Sequence, residues 1–143
     1  METAQNHTRA LRIYVNLPVQ DVQKSIAFFS SLGFKFNMQF TGESAAAMEL
    51  GENMFVMMLC HDHFSQFTRK GIADATKTTE ALVCFEVSSR EMVDELVQKA
   101  VAAGGKLYAE AVDHGWMYQH SFEDLDGHQW EIMYADLSKF PQG

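Results

Sequence analysis

Glu131, in the run Gln129-Trp130-Glu131-Ile132-Met133, is the residue of this chain best placed by type and surroundings to do chemistry. A charged carboxylate is rarely fully buried without a partner, so a strand that carries one among apolar neighbours presents it to a cleft. Desolvation there would strengthen it as a base and prepare it for general-base work without a metal. The competing role is structural, with the carboxylate bonded to Tyr14, Asn16 or His120. His114, Trp116, Tyr118 and His120 stand just before or on the preceding strand. Of these, Trp116 offers a flat indole for packing or stacking, and His120 an imidazole at the cleft edge.

Other short patterns carry less. His61-Asp62-His63 has two imidazoles at spacing two in a polar stretch, which reads as a solvated segment rather than a ligand set. Asp124-Leu125-Asp126-Gly127 resembles part of a calcium loop, but Phe122 occupies the first ligand position and the later Glu is misplaced, so it reads as a hairpin turn. No H-E-x-x-H, G-x-S-x-G, Walker loop or G-x-G-x-x-G is present, which removes zinc-protease, hydrolase-elbow and nucleotide-fold readings.

The chain has 143 residues, with 11 Lys and Arg against 19 Asp and Glu and a net charge of −8. A chain of this size makes one domain and buries roughly two-thirds of its unfolded surface. The acidic balance disfavours nucleic acid and anionic membrane surfaces as partners. The longest apolar run, residues 54–60, falls far short of the ~20 residues that cross a bilayer, and the first ten residues lack the pattern of a secretory leader. Cys60 and Cys84 lie in apolar runs that suit free, reduced thiols. Together these features point to a cytoplasmic protein.

The elements that must position these groups follow from periodicity. Residues 11–19 form a β-rich run ending near Pro18; Asp21 caps a helix over 21–33 with Val22, Ile26, Phe29 and Leu32 at helical spacing, closed by Gly33. Strands follow at 34–40, 45–50 and 54–60. The order then repeats: a strand at 81–87, a capping box at Ser88-Ser89-Arg90-Glu91, and a helical stripe of Val93, Leu96, Val97, Ala100 and Val101 ended by Gly104-Gly105. Strands at 106–111, 117–122 and 129–135 complete the second unit. Two βαβββ modules, 11–60 and 81–135, thus share one domain spanning 10–136, with a linker at 61–80 and tails at 1–9 and 137–143. Two half-sheets, each with one helix, are expected to combine with helices outside and their other faces around a cleft. Residues two apart on a strand share a face, which assigns Tyr14, Asn16, Phe55, Met57, Leu82, Cys84, Glu131 and Met133 to the cleft. This lining suits a small, partly aromatic organic ligand, with the two methionines adapting to its shape. Phe64, Phe67 and Ile72 give the linker the character of a lid or of a contact between subunits.

The sequence resembles the vicinal oxygen chelate superfamily, which includes glyoxalase I, bleomycin-resistance proteins and extradiol dioxygenases. Residues 15–33 (VNLPVQDVQKSIAFFSSLG) are similar to its opening strand and S-x-x-F-[FY]-x-x-L-G helix, and residues 122–131 (FEDLDGHQWE) to its F-x-D-P-D-G-[NH]-x-x-E hairpin, with Leu125 in place of proline. The resemblance implies an α+β fold, a homodimer, and a divalent metal held by side chains of the first and last strands of each module. Counted residue by residue, those positions fall on Tyr14, Phe55, Leu82 and Glu131, of which only Glu131 is a ligand type. A catalytic site needs about three protein ligands, so no metal and no cofactor is expected. The reading is a small-molecule-binding protein with an apolar cleft and a degenerate metal site. The alternative is a glyoxalase I-like lyase or isomerase with a divalent metal and ligands such as His120. A third reading is a structural dimer without a ligand.

Overall fold

The computed structural model describes residues 7–141; residues 1–6 and 142–143, within the two expected tails, lie outside the described residues. The first module consists of β1 (Ile13–Val19), α1 (Val22–Ser31), β2 (Lys35–Phe36), β3 (Ala45–Gly51) and β4 (Met54–Cys60). A short helix, α2 (His61–Phe64), opens the connection. The second module is β5 (Val83–Glu86), α3 (Arg90–Ala102), β6 (Val112–Asp113), β7 (Met117–Glu123) and β8 (Gln129–Ala135). The two sheets have the orders β1-β4-β3-β2 and β5-β8-β7-β6, with the first strand of each module parallel to its last and the other pairs antiparallel. This is the α+β pair of βαβββ modules expected from the repeat.

Local chemistry sets the elements. Asp21 and Ser89 cap the two long helices, their side-chain oxygens accepting the backbone N–H of Lys24 and Met92. Gly33, past the end of α1, takes φ 102°, a conformation that costs a side-chain-bearing residue far more. Pro18 lies inside β1 rather than ending it, opposite Leu59 of β4; an edge strand tolerates a residue without an N–H. Two expected strands are shorter than their β-rich sequences. Over 34–40 only Lys35–Phe36 pairs, because Asn37 accepts the N–H of Gln39 at 3.0 Å and starts a 3₁₀ turn at Met38–Phe40. Over 106–111 only the bridge from Lys106 to Glu123 forms, and the strand resumes at Val112–Asp113.

The two modules share one core. Val15, Val56, Met48 and Met58 from the first sheet and Phe85, Phe122, Trp130 and Ile132 from the second belong to a single apolar cluster, with Phe28 and Phe29 of α1 and Val93, Leu96, Val97 and Ala100 of α3. Phe29 lies 4.9 Å from Trp130 and Phe28 6.0 Å from Phe122, ring centre to ring centre, while Phe34 meets Phe85 edge-on at 5.7 Å. Val101, the last residue of the expected helical stripe, is exposed instead. Both sheets turn their helix-bearing faces to this cluster, so their opposite faces point away from it.

A buried carboxylate ties the modules together. Asp124, 6% exposed, accepts hydrogen bonds from the Trp130 indole at 2.9 Å and from the backbone of Asp126 and His128 at 2.9 and 3.0 Å. It thereby shapes the β7–β8 turn. That turn reaches back to the first module: the Gln20 N–H donates to Asp126 at 2.8 Å, and the His128 ring meets the Pro18 carbonyl at 2.7 Å. Burial pushes the Asp124 carboxyl above the usual range, outweighing the opposing pull of the His128 charge and of the hydrogen bonds from Trp130 and Asp126. Among the described residues no helix is long and apolar enough to cross a membrane.

Replacing Trp130 by alanine is expected to cost about 3–5 kcal/mol of unfolding free energy in urea titration. The Asp124 carboxyl binds its proton more tightly in the folded than in the unfolded chain, so its contribution to stability is full below about pH 3.9 and is lost as pH rises through the elevated folded value. The stability of the wild type relative to Asp124→Asn is therefore expected to increase as pH falls across that window, measured by urea titration at each pH.

Candidate functional site

The eight residues assigned to the cleft by strand parity fall into two sets. Tyr14, Asn16, Phe55 and Met57 sit together on the outward face of the first sheet, with Tyr14 opposite Phe55 and Asn16 opposite Met57. Cys84, Glu131 and Met133 sit on the outward face of the second, Cys84 opposite Glu131. Leu82 precedes β5 and is exposed. One protomer does not bring the two sets together as the sequence reading expected. Both faces point away from the shared core, and among the described residues no hydrogen bond, ion pair or aromatic contact links them.

The first face is an aromatic wall. Tyr14 and Phe55 stack with centroids 5.1 Å apart and planes within 15°, yet Tyr14 remains 54% exposed. The pairing explains the geometry, since residues directly opposite on neighbouring strands bring their side chains together on one face.

The second face is polar at its centre. Across β5, β8 and β7 runs the row Cys84, Glu131 and Ser121, followed by the row Glu86, Met133 and Gln119. Ser121 is only 5% exposed although it lies on the outward face. Tyr108, from the irregular segment between Lys106 and β6, brings its hydroxyl to this row. Burial pushes the phenol above its usual range; Ser121 opposes that shift, and Glu131, Glu123 and Cys84 add to it. All four of those residues lie on this face. The Tyr108 hydroxyl is buried and has no hydrogen-bond partner. The Cys84 thiol is likewise pushed up, by burial first and then by the carboxylates of Glu131 and Glu86.

Two sequence candidates lie elsewhere. His120 faces α3, not the cleft: it stands opposite Ile132 of the core face, its Nδ1 accepts the Ser121 N–H at 2.9 Å, and with Asp94, Val97 and Leu107 it borders a cavity of about 430 Å³ beside that helix. Parity already separates it from Glu131, because it shares a face with Phe122. Trp116 packs edge-on against Phe140 at 4.6 Å, covering the C-terminal segment. Neither the Tyr14–Asn16 pair nor His120 therefore reaches Glu131, whose neighbours in the sheet are Cys84 and Ser121. Sequence reasoning missed Ser121, which parity across from Glu131 would have found, and Tyr108, which gave no signal because its segment reads as a strand.

The family metal positions can be tested against this register. Tyr14 opposite Phe55 corresponds to Cys84 opposite Glu131, which moves the first-strand position of the second module from Leu82 to Cys84. Counting back from the helix cap misplaces it because Cys84 stands five residues before Ser89 whereas Tyr14 stands seven before Asp21. The four positions then hold a phenol and a phenyl ring on the first sheet and a thiol and a carboxylate on the second. Among the described residues no group of three His, Cys, Asp or Glu side chains is gathered to hold a metal ion. These residues do not fit the three-ligand site of the metal-dependent members. Cys60 and Cys84 are free.

A family model described as the Glyoxalase/Bleomycin resistance protein/Dioxygenase superfamily matches residues 6–132, and the chain belongs to that superfamily. Among solved structures it is similar to a hypothetical protein from S. aureus, with 28% identity over 94% of this chain and 100% of that one and a TM-score of 0.76. It is similar in fold to a glyoxalase-related enzyme from Fulvimarina pelagi, with 20% identity over 95% and 94% of the two chains and a TM-score of 0.75. The fosfomycin resistance protein FosX from Listeria monocytogenes shares the fold at 16% identity over 95% and 97%, with a TM-score of 0.65. Comparison with curated proteins gave no match.

A thiol raised by burial and by neighbouring carboxylates is a slow nucleophile at neutral pH, since the thiolate is the reactive form. Glu131→Gln removes one of those charges and is expected to speed the alkylation of Cys84 by iodoacetamide severalfold at pH 8, followed by peptide mass spectrometry.

Proposed function

We propose that this chain is a small-molecule-binding protein, working in the cytoplasm as a homodimer, whose cleft forms between the aromatic face of one protomer and the Glu131 face of its partner. The observation that carries this reading is the stacked Tyr14–Phe55 pair, left open to solvent on a sheet face. A contiguous exposed apolar patch marks a surface that another molecule covers. Placed opposite Glu131, the rings would sandwich a flat ligand while the carboxylate accepts a hydrogen bond from it. Such a site combines large apolar area with a few polar groups that fix orientation. Nothing in this reading requires a metal.

A second reading has its own support. Cys84 and Glu131 are directly opposite in the register, which places two metal-ligand types side by side and keeps a glyoxalase I-like lyase or isomerase as the alternative, with the remaining ligands to come from the partner. Elemental mass spectrometry on protein equilibrated with zinc, nickel, manganese or anaerobic ferrous iron and then dialysed separates the two. Near-stoichiometric retention that disappears in Glu131→Ala favours the lyase; no retention favours the binder.

The binding reading predicts a dimer in analytical ultracentrifugation and a rise in melting temperature with flat aromatic compounds in the absence of metal, as mass action requires for a ligand of the folded state. Tyr14→Ala is expected to abolish that rise while changing the stability of the unliganded protein by no more than about 1 kcal/mol, the scale of one aromatic pair.

A further inference from the structure

The connection between the two modules lies hard against the second of them without being bonded to it. A Cβ on Gly127, in the β7–β8 turn, would stand 2.8 Å from the carbonyl oxygen of Ala75 and 2.9 Å from the Cα of Thr76. Among the described residues, however, every hydrogen bond of residues 68–78 closes within that stretch. The Lys70 N–H donates to Thr68, and Asp74 accepts from Thr76, Lys77 and Thr78. The stretch is therefore folded on itself by its own Asp74 turn, and its hold on the modules is one of shape.

The two sides of this contact are unequal. The turn is pinned: the Gly127 N–H donates to the Asp124 carbonyl at 3.1 Å, the Asp124 carboxylate holds Asp126 and His128, and these two grip Gln20 and Pro18. The connection has no such ties, and Arg69, Lys70, Gly71 and Lys77 in it are exposed. Segments with few buried apolar contacts and no hydrogen bonds to the rest of a fold open at a free energy well below that of global unfolding. Between them lies a cavity of about 460 Å³, bounded by Pro18 and Gln20 of the first module, Asp126 and His128 of the second, and the connection from Ile72 to Thr76.

We infer that residues 72–76 are a strap that closes over the junction of the two modules by seating its backbone on Gly127, and that it opens while both modules stay folded, uncovering the cavity beneath. Glycine at 127 then serves twice. It gives the turn its φ of 88°, and it leaves the space in which Ala75 and Thr76 rest. A side chain there meets backbone on the strap side, which cannot yield by a rotamer change, so the unbonded strap lifts before the bonded turn moves. Ile72 is the apolar anchor at the start of the strap, half-buried where it lines the cavity. This inference needs neither a dimer nor the cleft.

Arg69, Lys70 and Lys77 bracket the strap, so limited trypsin digestion of the full chain, with cut sites assigned by mass spectrometry, reads its opening. In the wild type these sites are expected to be cut before those in the helices, at a rate that changes less than about twofold in urea below the unfolding transition, because local opening exposes little surface. Gly127→Ala is expected to speed these cuts at least about fivefold, the scale of a backbone forced out of its seat. Gly115→Ala is the control, since Gly115 has a matching φ of 86° but nothing within 4 Å of its Cβ position, and its strap is expected to be cut at the wild-type rate. Strap cuts that are no faster in Gly127→Ala, or that are equally fast in Gly115→Ala, overturn the seat. Cuts in the wild type that rise with urea in step with global unfolding overturn the independent opening. If Gly127→Ala does not fold, Ile72→Ala replaces it, with the turn untouched: faster strap cuts at an unchanged urea midpoint support the strap, and an unchanged rate overturns it.

Discussion

Two rings of α1, Phe28 and Phe29, reach across to Phe122 and Trp130 of the second sheet, and this contact decides how everything else is arranged. Neither βαβββ module has enough apolar surface to stand alone, since one helix covers one face of one small sheet. Sharing a core solves that for both. Trp130 is the hinge of the arrangement: its ring joins the shared cluster while its indole N–H is held by the buried carboxylate of Asp124. The same carboxylate shapes the turn through which Asp126 and His128 grip the end of β1. Packing and polar bonding therefore fix the same relative orientation of the two modules.

That orientation has a consequence for function. When both sheets give one face to a common core, their other faces point away, and each carries half of the proposed site. The first half is aromatic and open. The second gathers a carboxylate, a thiol, a serine hydroxyl and a phenol along a row. In the proposed cleft the first half would bind through area and the second through directed hydrogen bonds, and a ligand is best recognised where both act at once. In the proposed homodimer a second copy of the chain supplies the missing half, because pairing about a two-fold axis forms both sites together.

Membership of the superfamily does not carry the three-ligand metal set into this chain's register. The register equates Tyr14 and Phe55 with Cys84 and Glu131, and of these four only the last two are ordinary metal ligands. One scaffold hosts many chemistries because its framework residues and its site residues are different sets. Here Asp124, Gly127 and Trp130 belong to the framework, and Glu131, one residue from Trp130 but on the opposite face, belongs to the proposed site.

The sequence by itself determined the α+β class, the repeat of two modules, both long helices with their caps, the β7–β8 turn and the residues of each strand face, because these depend on periods of two and 3.6 and on local capping and turn chemistry. It did not separate His120 from Glu131, offered as partners by residue type, which the strand register places on opposite faces. Only the tertiary structure decided that the two halves of the lining face apart within a protomer, that Cys84 rather than Leu82 stands opposite Glu131, and that Tyr108 brings an unpaired hydroxyl to that row. The reason is physical. Periodicity tells which side of a strand a residue occupies, but not what that side meets. That depends on contacts between residues distant in the chain, such as Phe29 with Trp130, and on connections like the two-residue difference before α3, which no local pattern encodes.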